Sequence, residues 1–133
     1  MKTTLFSFER LQVWQKARIF TKDVYELTRK FPQSEQFALT HQLRRAVVSV
    51  PSNLAEGSSR RSVVEHARFV EIAYGSLLEV YCQLQLACDF GYLAETELAA
   101  LKPRIREIAA AMTGLRKSLL VSSRNSAAER FDL

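Results

Sequence analysis

Apolar residues in this chain recur at spacings of three and four, the pattern of helices that bury one face. Val13, Ala17, Phe20, Val24, Leu27 and Phe31 alternate between the two spacings and form a heptad seam. Ser7 is placed to cap this first helix, with Glu9 in the first turn, where the backbone dipoles favour an acid. Phe31-Pro32 should end it, because a residue before proline is pushed out of the α region. A second helix is expected after Ser34, with Glu35 in its first turn, carrying Leu39, Leu43, Val47, Val50 and Leu54. Pro51 falls inside it and removes one backbone donor, which predicts a kink. Gly57 reads as the residue just past its end, where a left-handed conformation suits glycine.

Ser58-Ser59-Arg60-Arg61 makes a polar joint, and Ser62-Val63-Val64-Glu65 then reads as a capping box. The third helix has a broad apolar side: Phe69, Val70, Ala73, Tyr74, Leu77, Val80, Tyr81, Leu84, Ala87 and Cys88 fall within an arc of roughly 140°. Gly91-Tyr92-Leu93 predicts a Schellman-type end. Thr96 can cap a fourth helix whose Leu98, Leu101, Ile105, Ile108, Met112, Leu115 and Leu119 repeat the 3-4 seam, with Pro103 bending or delaying its start. From Ser122 the chain turns polar and small, so residues 1–121 are expected to form the domain and 122–133 a frayed tail. Four helices of about 23 to 28 residues, each ~35–40 Å long, with short connections predict an all-α, up-down-up-down four-helix bundle.

Composition narrows the class. The chain has 133 residues, 47% apolar and 25% charged, enough to bury a core in one domain. Four Gly and three Pro are too few for a sandwich, a barrel or collagen. The longest apolar run, Ile108 to Met112, is five residues, far short of the ~20 of a membrane span, and no secretory-signal pattern opens the chain. A cytoplasmic protein with no membrane partner is expected. Cys82 and Cys88 point about 120° apart on one helix and cannot pair within it, so buried reduced thiols are expected.

Charge is unevenly divided. Nineteen Lys and Arg against fourteen Asp and Glu give a net +5. Residues 62–91 hold Arg68 against Glu65, Glu71, Glu79 and Asp89, a net −3, whereas residues 8–30 hold six cations and three acids, a net +3. Arg18, Lys22 and Arg29 share one helical stripe beside Trp14 and Tyr25; Lys102, Arg106 and Lys117 form another, extended by Arg124. Such stripes suit phosphate groups, and flanking aromatics suit exposed bases. They equally suit a solvated surface or subunit pairing, for which the acidic third helix offers a complementary face.

Asn53 lies near an apolar seam, where a polar side chain fixes register, and Glu56 sits at a helix C-terminus, where an anion needs a partner; Arg60, Arg61 or a cation on another subunit is the candidate. No cofactor or metal is expected. His41 and His66 are the only histidines, and no Cys-x-x-Cys, His-Glu-x-x-His, phosphate-binding loop or nucleophile elbow occurs. One enzyme-like pattern, Arg61-x4-His66, resembles the signature of HEPN ribonucleases, in which the histidine would move a proton and the arginine steady a phosphate.

Asn53-Leu-Ala-Glu-Gly57, Arg60-Arg61-Ser62, Glu65, Phe69, Ile72-Ala73, Gly75-Ser76, Glu79 and Gly91-Tyr92-Leu93 together resemble the bacterial proteins encoded by intervening sequences within 23S rRNA genes. Phe8-Glu-Arg-Leu11, Val13-Trp14-Gln-Lys-Ala17 and Arg44-Arg-Ala46 through Pro51 fit the same pattern, which covers about residues 8 to 120. The resemblance implies a four-helix bundle assembled as a homopentamer, with no enzymatic activity. It also implies kinship with the accessory variability protein of diversity-generating retroelements, a basic pentamer that binds nucleic acid and its reverse transcriptase. Asn53, Glu56, Gly57 and Arg61 then stand as structural or interface positions. Gly75-Ser76 would let another backbone approach closely, and His66 departs from the family pattern, which has phenylalanine there. The expectation is a non-enzymatic oligomer whose basic stripes bind RNA or DNA, alone or with a protein partner. The alternatives are a nucleic-acid-independent assembly module and a HEPN-like ribonuclease.

Overall fold

The computed structural model describes residues 3–131, so the outermost two residues at each end of the domain and tail assignments lie outside it. Among the described residues the chain is all helical, with no strand. A short 3-10 turn at Ser7–Arg10 precedes α1 (Gln12–Thr28). A second at Gln33–Glu35 precedes α2 (Leu39–Ser58), followed by α3 (Val63–Asp89) and α4 (Glu95–Phe131).

The predicted seams form the core. Val13, Ala17, Phe20 and Val24 of α1 meet Leu43, Val47, Val50 and Leu54 of α2, Val70, Leu77, Val80 and Leu84 of α3, and Leu101, Ile105, Ile108 and Met112 of α4 in one buried cluster. Fully burying side chains of this size is worth roughly 1.5–3 kcal/mol each, so this shared cluster dominates stability. Each helix packs on the next in chain order, and α4 returns to α1.

The helix ends differ from the expectations, for local reasons. Ser7 does not cap α1. The Glu9 carboxylate instead accepts from the amides of Leu5 at 2.6 Å and Phe6 at 2.8 Å, holding a 3-10 turn that delays the helix to Gln12. α1 also stops at Thr28, before Phe31, whose side chain is nonetheless buried. α2 begins at Leu39 rather than after Ser34, with the Glu35 carboxylate accepting from the Leu39 amide at 3.1 Å. Thr96 is not the cap of α4, which starts at Glu95; the Glu97 carboxylate reaches back to the Ala94 amide at 3.1 Å. Ser62 does cap α3, accepting from Val64 and Glu65 amides.

Gly57 is a further correction. It lies inside α2 without a left-handed backbone, buried where α3 crosses. A Cβ there would stand 2.6 Å from Phe69 Cβ and 3.1 Å from His66 Cδ2, so the missing side chain allows the two helices to touch. Gly91 does take the left-handed conformation, at φ 78°, and the Tyr92 amide returns to the Ala87 carbonyl at 2.9 Å as the Schellman motif requires. α4 runs on as helix through Ser122 to Phe131.

Candidate nucleic-acid interface

α1 turns Arg18, Lys22 and Arg29 outward within about 40° of one another, and all three are exposed. Lys22 has no ion-pair partner among the described residues, whereas Arg29 Nη1 lies 3.5 Å from Glu26 Oε2. The Arg18 guanidinium lies over the Trp14 ring at 5.6 Å. Trp14 itself is half-buried, edge-on to Phe8 at 4.9 Å. Tyr25 carries the Arg44 guanidinium over its ring at 4.8 Å, and Arg44 Nε also donates to Thr28 Oγ1 at 2.9 Å. Both candidate stacking groups are thus already engaged by arginines of this chain.

α4 presents Lys102, Arg106 and Lys117, all exposed and none in an ion pair among the described residues, with exposed Arg124 continuing the stripe. Two further α4 arginines are taken: Arg104 pairs with Asp23 at 2.7 Å and Arg116 with Glu71 at 2.5 Å. Between the two stripes runs the α1–α4 seam, closed by Lys16–Glu107 at 2.7 Å, Arg104–Asp23 and Lys30–Glu97. On helical projection the α1 and α4 stripes are centred roughly 120° and 150° round their helices from that seam. One chain therefore carries two separate basic surfaces with a neutralised strip between them.

The family-motif residues sit where α2 meets α3. Asn53 Nδ2 donates to Ser49 O at 2.8 Å and lies 2.9 Å from Ser49 Oγ, which in turn shares a hydrogen bond with Ser76 Oγ at 2.8 Å. Glu56 pairs with Arg60 at 2.7 Å, one of its expected partners, while Arg61 is exposed without a partner among the described residues. Gly75 is exposed on the outer side of α3, with nothing within 4 Å of where its Cβ would be.

His66 Nε2 is buried without a hydrogen-bond partner, its ring lies against Gly57, and burial holds its pKa below the ordinary histidine value. The thiols depart from expectation: Cys82 is exposed and Cys88 half-buried, both free. Burial, with the carboxylates of Glu95, Asp89 and Glu97 nearby, pushes the Cys88 thiol up. Among the described residues no cluster of His, Cys, Asp and Glu could hold a metal ion, and no helix is long and apolar enough to cross a membrane.

Two features escape the sequence. Arg44 and Arg45 add to α2 cations with no ion-pair partner among the described residues; the sequence shows them as part of the family pattern but not as a basic surface. Val64, Ile72, Leu78 and Leu86 lie exposed on α3, outside the arc that marks its core side.

No curated protein matches this chain. The family model described as 23S rRNA-intervening sequence protein matches residues 9–114, from the Glu9 clamp through all the motif positions to the middle of α4, and the chain belongs to that family.

Proposed function

We propose that this protein is a non-enzymatic, cytoplasmic homo-oligomer that binds RNA or DNA through its basic surface, alone or with a protein partner such as a reverse transcriptase. The helices alternate in direction as an up-down-up-down bundle. The α1–α4 pairs 16–107, 23–104 and 30–97 support this, since one number rises as the other falls. The subunit number, five, follows family resemblance, and cyclic symmetry would gather +25 from five chains of +5.

The observation that carries the nucleic-acid reading is the α4 stripe: Lys102, Arg106 and Lys117, exposed together with no carboxylate in contact among the described residues. Phosphate binding needs cations that neighbours have not neutralised. The α1 stripe contributes less readily, because Arg29 faces Glu26 and Arg18 rests on Trp14.

Binding of mixed-sequence RNA and DNA tests this reading. Affinity should be greatest near ~50 mM salt and fall steeply above it. Changing Lys102, Arg106 and Lys117 together to alanine should reduce the salt slope by about 2 to 3. Absence of binding to either polymer at low salt overturns the proposal. The assembly-module reading is favoured by the exposed apolar line on α3, and it predicts a particle indifferent to those three substitutions. A ribonuclease has the least support, since His66 turns Nε2 into the α2–α3 crossing.

A further inference from the structure

We propose that the outer face of α3 is the surface on which a second copy of this chain docks, and that it receives the outer face of α1. This rests on the oligomeric reading above and names the faces that would carry it. Val64, Arg68, Ile72, Gly75, Leu78, Cys82 and Leu86 recur at three and four along the whole of α3, on the side opposite its core seam. Ile72 is 43% exposed and Leu78 54%. Scattered apolar residues on a surface are ordinary, but a second seam running the length of a helix is not.

Gly75 sits at the centre of this line. A glycine in a helix interior weakens the helix, and no neighbour within its own chain requires the missing Cβ. Close approach by a backbone from outside gives it a reason.

Charge selects the partner face. Glu65, Glu79 and Asp89 flank the line, and none is in an ion pair among the described residues. Two α3 faces meeting each other would set three acids and a single cation, Arg68, against the same set, so a basic face is the better complement. The outer face of α1 supplies Arg18, Lys22 and Arg29 beside Ile19, itself 58% exposed. Arg18 and Arg29 are eleven residues apart and Glu79 and Asp89 ten, which sets the two pairs at about 16.5 Å and 15 Å along their helices. α4 is basic too, but around Lys102 and Arg106 it presents only Ala99, Ala110 and Gly114, and Val121, its one exposed large apolar group among the described residues, lies beyond Lys117. A face of one kind meeting a face of another is a head-to-tail contact, which makes a ring where its rotation closes. The α1 cations then serve assembly, and the α4 stripe is left for phosphate.

Native mass spectrometry and sedimentation of the full chain at low micromolar concentration test the proposal. Wild type should be oligomeric. Gly75→Gln and Leu78→Glu, both at exposed positions, should lower the particle mass to that of one chain while the helical circular dichroism stays unchanged. Glu79→Lys with Asp89→Lys should weaken assembly at least tenfold, and adding Arg18→Glu with Arg29→Glu should restore it. If wild type is oligomeric and the Gly75 and Leu78 variants assemble equally well, the α3 face is wrong although the oligomer stands. If those variants dissociate but the reversed charges give no rescue, α1 is not the occupant and the pairing falls. A monomeric wild type removes this inference and the oligomeric reading together.

Discussion

The Thr21 hydroxyl on α1 stands 3.2 Å from the Val47 carbonyl on α2, the acceptor that Pro51, four residues on, leaves without its helical donor. The same hydroxyl donates to its own Ala17 carbonyl at 2.7 Å, so one proton is shared between two acceptors. This is how α2 accommodates a proline in its interior: the neighbouring helix approaches the orphaned oxygen with a polar group.

Thr21→Val should therefore cost about 1 kcal/mol, the usual penalty of stranding one backbone acceptor, and lower the melting temperature by roughly 4 °C. In a Pro51→Ala background the amide of residue 51 can bond Val47 again, and the same substitution should cost clearly less. A double-mutant cycle by urea unfolding measures the difference. Equal costs in the two backgrounds would separate Thr21 from the proline.

Gly57 and Gly114 should respond in opposite directions to alanine. At Gly57 the new Cβ meets Phe69 Cβ at 2.6 Å, and overpacking at such a crossing costs about 1–3 kcal/mol. At Gly114, in the middle of α4, nothing lies within 4 Å, so the substitution should stabilise by about 0.5–1 kcal/mol through helix propensity alone. Denaturant midpoints of the two variants decide it.

That contrast also marks what periodicity can and cannot convey. The buried seams of α1, α2 and α4 and the Schellman end at Gly91 follow from residue spacing and local backbone chemistry, which the chain carries in one dimension. Whether a glycine near the end of an apolar pattern stops the helix or admits a neighbour depends on what lies across from it, and Phe69 and His66 lie beyond the α2–α3 joint. The same holds for charge. The α1 and α4 stripes are legible because they are helical repeats, but the pairing of Arg104 with Asp23 and Arg116 with Glu71 joins residues 81 and 45 positions apart. Ser7 and Thr96 are sound cap residues by type, yet Glu9 and Glu97, two or one positions on, hold the amides instead. The exposed line on α3 was equally present as a repeat, hidden beside a stronger one.

Glu9 and Glu97 predict an acid limb. Amides of Phe6 and Leu5 hold the Glu9 carboxyl below its ordinary range, and Lys30, with the Ala94 amide, does the same for Glu97. Both folded-state pKa values are depressed, so their contribution is complete above the unfolded value near 4.5 and is lost as pH falls through the folded ones. Glu97→Gln should lower stability at pH 7 and leave it equal to wild type once both carboxylates are protonated. Urea titrations at pH 7 and pH 2.5 make the comparison; an equal loss at both would assign the effect to packing.

His66 works in the opposite chemical sense over a higher window. Burial lowers its pKa, so the folded protein prefers the neutral ring, and the unfolded chain takes up the proton first as pH falls below about 6.5. Stability should fall with decreasing pH from that point, until the folded-state ring is protonated as well. Nε2 has no partner in this pocket, so the polar atom adds cost without a bond to offset it. His66→Phe keeps a planar ring against Gly57 and removes both the proton and the orphaned nitrogen. It should raise the melting temperature at pH 5.5 more than at pH 8, and flatten the profile between them. A wild-type profile already flat across that range, or an equal gain at both pH values, would show that His66 does not titrate in the folding equilibrium.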